Sequence, residues 1–169
     1  GIRSAALGSA LPLGGHWGWF FMVDGAPPRA EDEANPVVLN RVVSPEYFET
    51  VGVELVAGRG FDDFDGREDG TRAVIVNQTF VRTHLSHLDD PIGARLAPGT
   101  ELGDDPNWMT VVGVARDVKH YGVDTEMRPG VYQPLRQLPL SGFQVALRTE
   151  GDATAVLSGA RAATAGLGA

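Results

Sequence analysis

Cysteine is absent from the 169 residues, so disulfides, zinc–thiolate centres and thiol nucleophiles are excluded. Long apolar runs are absent too. The longest, Trp17 to Val23, covers seven residues and contains Gly18, whereas a bilayer-crossing helix needs about 20. No basic stretch followed by an apolar one opens the sequence, so no signal peptide is expected in it. Any export or anchoring information is expected to lie outside this stretch. Basic charge is scarce: 14 Lys and Arg against 22 Asp and Glu give a formal charge of −8. Nucleic-acid binding requires a basic surface that displaces counterions from phosphates, and anionic lipid requires the same. The chain has neither the charge nor a clustering of its arginines. No P-loop, no G-x-G-x-x-G and no G-x-S-x-G motif occurs, which argues against nucleotide binding and a serine-hydrolase elbow.

What is present reads as a globular chain, 43% hydrophobic and 21% charged. It is long enough for one domain or two small lobes, burying about 70% of its unfolded surface. Strands are expected over 2–13, 18–25 and 37–43, with a proline-rich loop over 26–36 between the last two. Ser44 is the expected cap of a short helix, with Pro45 at its first position. Tyr47, Phe48 and Val51 would share one face of that helix, and Gly52 would end it in a left-handed cap. A strand over 53–57 then runs into Gly58, Arg59 and Gly60.

AVIV (73–76) is a fully apolar strand, and Asn77 is expected to cap the next helix. Phe80, Val81, His84, Leu85 and Leu88 fall at spacings that bury one helical stripe, and Pro91 stops the helix from continuing. Further strands are expected near 94–96 and over 108–118, 131–135 and 143–149. In the last, Phe143, Val145 and Leu147 alternate onto one face. Asp152 would cap a terminal helix reaching about Ala165. Strands and helices interleave without a regular βαβ period, which points to an α+β fold.

Several groups suggest chemistry, each with a plainer alternative. His84 and His87 sit three apart, near Asp89 and Asp90, a spacing that metal sites use. Yet His84 lies on the apolar stripe, and the acids lie past the helix end. The acidic loop 61–70 invites a calcium reading, but counting back from Gly70 puts Asp65, Arg67, Asp69 and Val76 at ligand positions. A cation and an apolar residue among the ligands defeat it, leaving a solvated loop. RDVKHYG (116–122) places an acid, a lysine and His120 at a strand end, without a second histidine–carboxylate group. Arg59 could clamp an anion. Flanked by glycines that permit φ > 0, it is better read as a structural residue tied to carbonyls or to Asp62 or Asp63.

Six blocks occur in order: VVSPEYFETVGVELVAGRGFDDFD, AVIVNQTFVRTHL, DDPIGARL, WMTVVGVARDVKHYGV, PGVYQPLRQ and FQVALRTEGD. Together with IRSAALGSALPL at the start, they resemble the MacB-like periplasmic core domain of ABC transporter permeases, including the FtsX-like and macrolide-exporter types. The resemblance runs from about residue 2 to 160. Its signature positions here are Tyr47, Phe48, Gly52, Gly58, Arg59, Phe61, Asn77, Pro91, Gly93, Gly113, Asp117, Tyr132 and Pro134.

The resemblance implies an α+β domain of two lobes on the extracytoplasmic side of the inner membrane. A Porter-like lobe would take residues 1–58 and 130–169, and an inserted Sabre-like lobe 59–129. It implies a non-catalytic, mechanical role, with no cofactor in the domain itself. ATP and Mg would be bound by a separate cytoplasmic ATPase. Expected partners are a second permease copy, that ATPase and an adaptor protein, with loops 61–70 and 98–107 as contact surfaces. The alternatives from other classes are a soluble solute-binding module and a metal-dependent hydrolase using His84, His87 or His120.

Overall fold

Runs rich in valine, isoleucine and aromatic residues become strands in this protein, because stiff, branched side chains suit a pleated surface. The computed structural model describes residues 1–12, 17–26, 36–100, 106–118 and 126–164. The first half of the described order is β1 (Ile2–Gly8), β2 (Trp17–Val23), β3 (Val37–Val43), α1 (Tyr47–Val51), β4 (Leu55–Gly58) and β5 (Ala73–Asn77). The second half is α2 (Gln78–His84), β6 (Arg95–Pro98), β7 (Met109–Ala115), β8 (Gly130–Pro134), β9 (Gln144–Thr149) and α3 (Thr154–Thr164). The mixture of helix and dominant sheet is the expected α+β class.

β2 divides its pairing between two neighbours. Trp17–Phe20 lie against β3, and Phe21–Val23 lie against β6. From β6 the pairing passes to β7, then β5, β8 and back to β3. Six strands therefore close into a ring. The β3–β8 and β5–β7 pairs are parallel and the others in the ring antiparallel. β4 adds to β7, while β1 joins β3 through Gly8 and Val43 and carries β9 on its far side.

Successive strand residues point to opposite faces, so the ring sorts its side chains into two apolar clusters. One gathers Val38, Val74, Val76, Val111, Val114 and Val131 with Phe21, Leu96 and Met109, and α2 adds Phe80 and Leu85 to it. The other uses the opposite face, with Val43, Ala73, Ile75, Val112, Ala115 and Tyr132. Tyr47 and Phe48 of α1 cover that face, together with Val53 and Phe61.

Some local expectations are corrected. Ser44 does not cap α1 with its side chain: the N-cap is Glu46, which makes no side-chain cap bond. The Ser44 hydroxyl instead accepts from Leu7 N at 3.1 Å, tying the helix entry to β1. β1 ends at Gly8, short of Pro12. α2 ends at His84, ahead of Pro91, so the buried stripe stops at Leu85 and Leu88 is exposed. Val145 of β9 is also exposed, and Phe143 precedes that strand.

Gly52 does end α1 in the left-handed region, at φ 76°, and Asn77 does cap α2. Sheet pairing is continuous between the segments 1–58 with 130–169 and 59–129, through the β2–β6, β4–β7 and β5–β8 pairs.

Candidate functional site

The Gly58–Arg59–Gly60 turn lies directly on β7. Arg59 N donates to Val112 O at 2.9 Å. Gly58 has φ +67°, and a Cβ there would stand 2.2 Å from Val112 O. Across the contact, a Cβ on Gly113 would stand 2.3 Å from Arg59 O. Two bare backbones meet here, which explains both glycines better than a hinge does.

The Arg59 side chain turns back onto the acidic loop. Nη1 and Nη2 donate to the two carboxylate oxygens of Asp65 at 2.6 and 3.0 Å, and Nη1 also reaches Gly60 O. Asp65 is fully buried and accepts from Asp62 N as well. Asp62 forms the weaker ion pair at 3.1 Å. The main partner is thus Asp65, with Asp62 second, and no ion pair among the described residues joins Arg59 to Asp63. The hydrogen bond that Arg59 donates to Asp65 is the main reason its pKa is raised further.

Asp65, the first position of the tested calcium frame, is therefore committed to a guanidinium. Because Arg59 is half exposed, water compensates part of any loss. Asp65→Asn should cost about 1–3 kcal/mol in urea unfolding, and Asp63→Asn should stay within about 0.5 kcal/mol. Equal effects at the two positions would remove the bidentate pair from this account.

A second group is aromatic. Phe48 sits 5.0 Å from the Tyr132 ring, 5.6 Å from Tyr47 and 6.2 Å from Phe61, centroid to centroid. The Tyr47 hydroxyl donates to Ala10 O at 3.3 Å. Burial, then the neighbouring Tyr132, push the Tyr47 pKa far above the ordinary phenol value, with Arg41 acting the other way. Burial likewise raises Tyr132, against Arg41 and with help from Asp117.

Both folded-state values lie above the unfolded value of about 10. The linked stability is therefore present below pH 10 and is lost as the pH rises beyond it, where the unfolded chain releases its protons first. Chemical unfolding between pH 9 and 11.5 should show this alkaline decline. The Tyr47→Phe, Tyr132→Phe double variant should show a flatter one.

A third group surrounds the start of α2. Asn77 Oδ1 accepts from Phe80 N at 2.8 Å and from Gly130 N at 2.9 Å, while Nδ2 donates to Arg128 O at 2.9 Å. Asp117 accepts from Thr79 N and Thr79 Oγ1 at 2.8 and 2.9 Å, and from Arg82 at 2.9 Å. One amide and one carboxylate thus satisfy helix N–H groups that would otherwise lack partners.

The remaining candidates are not brought together. His84 packs edge-on against Phe21 at 5.0 Å and near Phe80 at 5.1 Å, and His87 lies in the turn beyond α2. Asp90 accepts from Ile92 N, fixing its own turn. Among the described residues, no group of three or more His, Cys, Asp or Glu could hold a metal ion. His120, Lys119 and positions 101–105 of the loop 98–107 lie outside the described residues. Pro91 and Gly93 shape the turn before β6. Ala94 N donates to Pro91 O, Gly93 has φ +90°, and its N–H donates to Val111 O. Pro134 ends β8 beside Val43, and its carbonyl accepts from Gln137 N.

Sequence reasoning missed Arg41, which is 1% exposed in the middle of β3. A charged residue inside the run VVLNRVV was the available signal.

The ring, its α1 cover and its structural polar groups define a sheet-built domain. The sequence matches the profile of the MacB-like periplasmic core domain over residues 20–163. The chain belongs to that family.

Solved structures share the fold, among them three extracytoplasmic or permease domains. The periplasmic region of MacB from Actinobacillus actinomycetemcomitans has a TM-score of 0.65 at 13% identity, over 99% of this chain and 68% of that one. The extracellular domain of the noncanonic ABC-type transporter YknZ from Gram-positive bacteria gives 0.61 at 18%, over 99% and 78%. A domain of a putative permease protein from Porphyromonas gingivalis gives 0.59 at 15%, over 98% and 70%. No curated protein matches the sequence.

Proposed function

We propose that this chain is the extracytoplasmic domain of an ABC transporter permease, and that it relays ATP-driven motion of the membrane dimer to substrate export or release. One observation beyond family membership carries the reading. β1 and β9 run antiparallel side by side, from Ile2 opposite Thr149 to Gly8 opposite Gln144. Force applied through either strand is thereby shared by both and enters the ring at β3. The role needs packed elements and stiff junctions, and it uses no reactive group in the domain. ATP and Mg belong to a separate cytoplasmic ATPase in this reading. A second permease copy, the ATPase and an adaptor are the proposed partners.

The lobe assignment, residues 1–58 with 130–169 against 59–129, belongs to the same proposal, with the β2–β6, β4–β7 and β5–β8 pairs as the lines where they meet. The loops 61–70 and 98–107 are the proposed contact surfaces. In the first, Phe64 is 63% exposed, beside a cavity of about 370 Å³ lined by Glu46, Asp62, Asp63 and Pro134.

Since the chain contributes no cysteine, location can be read with one label. Phe64→Cys in a cysteine-free parent permease should react with a membrane-impermeant maleimide on cells whose outer barrier alone is opened. Labelling that requires lysis of the inner membrane would overturn the extracytoplasmic assignment.

A further inference from the structure

Arg41 pairs in register with Tyr132, and its guanidinium carbon lies 5.5 Å from that ring's centre. A Cβ on Gly130 would stand 3.5 Å from Nη1. An arginine guanidinium is a planar cation with a rigid fork of donors. No ion pair among the described residues includes it. Nε and Nη2 are buried without an acceptor among the described residues.

The two orphaned nitrogens share one edge of the planar fork, the edge that grips a carboxylate side-on. Elsewhere this protein uses the same edge twice, in Arg95 with Asp24 and in Arg116 with Glu54. At Arg41 the surrounding groups are the wrong kind to fill it. Tyr132 is a hydrogen-bond partner of the guanidinium, but like Tyr47 it brings no negative charge, and Nε and Nη2 stay without an acceptor among the described residues. Asp117 is committed to Thr79 and Arg82. Gln133 Nε2 donates to Asn40 Oδ1 at 2.8 Å, so that pair is engaged with itself. A buried cation without an anion costs several kcal/mol, which a hydrophobic residue of similar volume would not.

We infer that Arg41 is a receptor for an oxyanion, a carboxylate or a phosphate group, held side-on by Nε and Nη2 next to Tyr132. The source is either a free small anion or an acidic group on a larger ligand, and both offer the same pair of acceptor oxygens. The inference is independent of the mechanical reading, since it concerns only the charge balance beneath α1.

The test is a titration of the chain with sodium acetate and with inorganic phosphate, against sodium chloride at matched ionic strength. It is followed by thermal unfolding and by the Nε resonance of Arg41, identified by its absence in Arg41→Met. The resonance should move saturably. The Tm of the wild-type chain should rise by at least about 3 °C more than that of Arg41→Met, with Arg41→Gln as the comparison if the Met variant does not fold. A response to acetate alone assigns a carboxylate, and to phosphate alone a phosphate group. A response to both assigns oxyanions generally. A resonance that neither anion moves means that water satisfies the two nitrogens, and the inference falls.

Discussion

Asn77→Ala should lower the stability of the domain by about 3–5 kcal/mol, a large part of the 5–15 kcal/mol that domains possess. The amide makes three hydrogen bonds from a site only 6% exposed. Removing it takes the acceptor from the N–H groups of Phe80 and Gly130, each costing about 1–3 kcal/mol, and one donor from the carbonyl of Arg128, partly relieved by relaxation. The loss also separates β8 from the β5–α2 junction, so helix and strand should weaken together. Asn77→Asp keeps both accepted bonds but sets a carboxylate against the Arg128 carbonyl, and should fall in between. Asn77→Ser can cap α2 but cannot reach all three partners. Urea unfolding should therefore order the variants with wild type highest and alanine lowest. A cost near 1 kcal/mol for alanine would reduce Asn77 to an ordinary helix cap.

Gly58→Ala should cost roughly 3 kcal/mol or more, whereas Gly60→Ala, two residues away, should be close to neutral. At Gly58 two penalties combine. The left-handed φ costs an L-residue about 1–2 kcal/mol, and the new Cβ collides with Val112 O, Gly113 Cα and Ile92 Cδ1 at 2.2, 2.9 and 2.7 Å. Two of those atoms are backbone of the central strand β7, so relief requires breaking the bond from Arg59 N to Val112 O. Gly60 lies outside the left-handed region, and its Cβ would meet only Leu55 Cδ1 at 3.6 Å. There the smaller entropy of the unfolded chain can offset the change. Thermal unfolding of the two variants side by side separates a fixed junction from a flexible one. Equal tolerance at both positions would mean that the turn does not rest on β7.

These contrasts show what the sequence made legible. β3 was readable residue for residue, because VVLNRVV is a local signal bounded by proline and serine. Asn77 and Gly52 were readable for the same reason, since caps are written in the residue at the boundary. Ser44 was misread because its hydroxyl is claimed by Leu7 N, 37 residues earlier. Asp65 was missed in favour of nearer acids because the loop folds back on itself, and only that fold brings its carboxylate to Arg59. The ring was invisible for a related reason. β2 shares its length between β3 and β6, and nothing in WGWFFMV announces two partners. Arg41 shows the limit most plainly. Local propensity placed it in a strand, but the Tyr132 ring and Gly130 packed against it belong to β8, far along the chain. Local chemistry was legible, and long-range claims on the same atoms were not.

The proposed mechanical role would use that assembled whole. In that proposal the close contact of Gly58 with Gly113 and the bonds of Asn77 stiffen the ring, and the paired β1 and β9 are its point of attachment. The most direct measurement is the distance between spin labels at Phe64→Cys in the two copies of the reconstituted full-length permease, with its ATPase held in ATP-bound and then ADP-bound form. The account predicts two distinct distance distributions that exchange with the nucleotide. A single distribution, unchanged through the ATPase cycle, would contradict it.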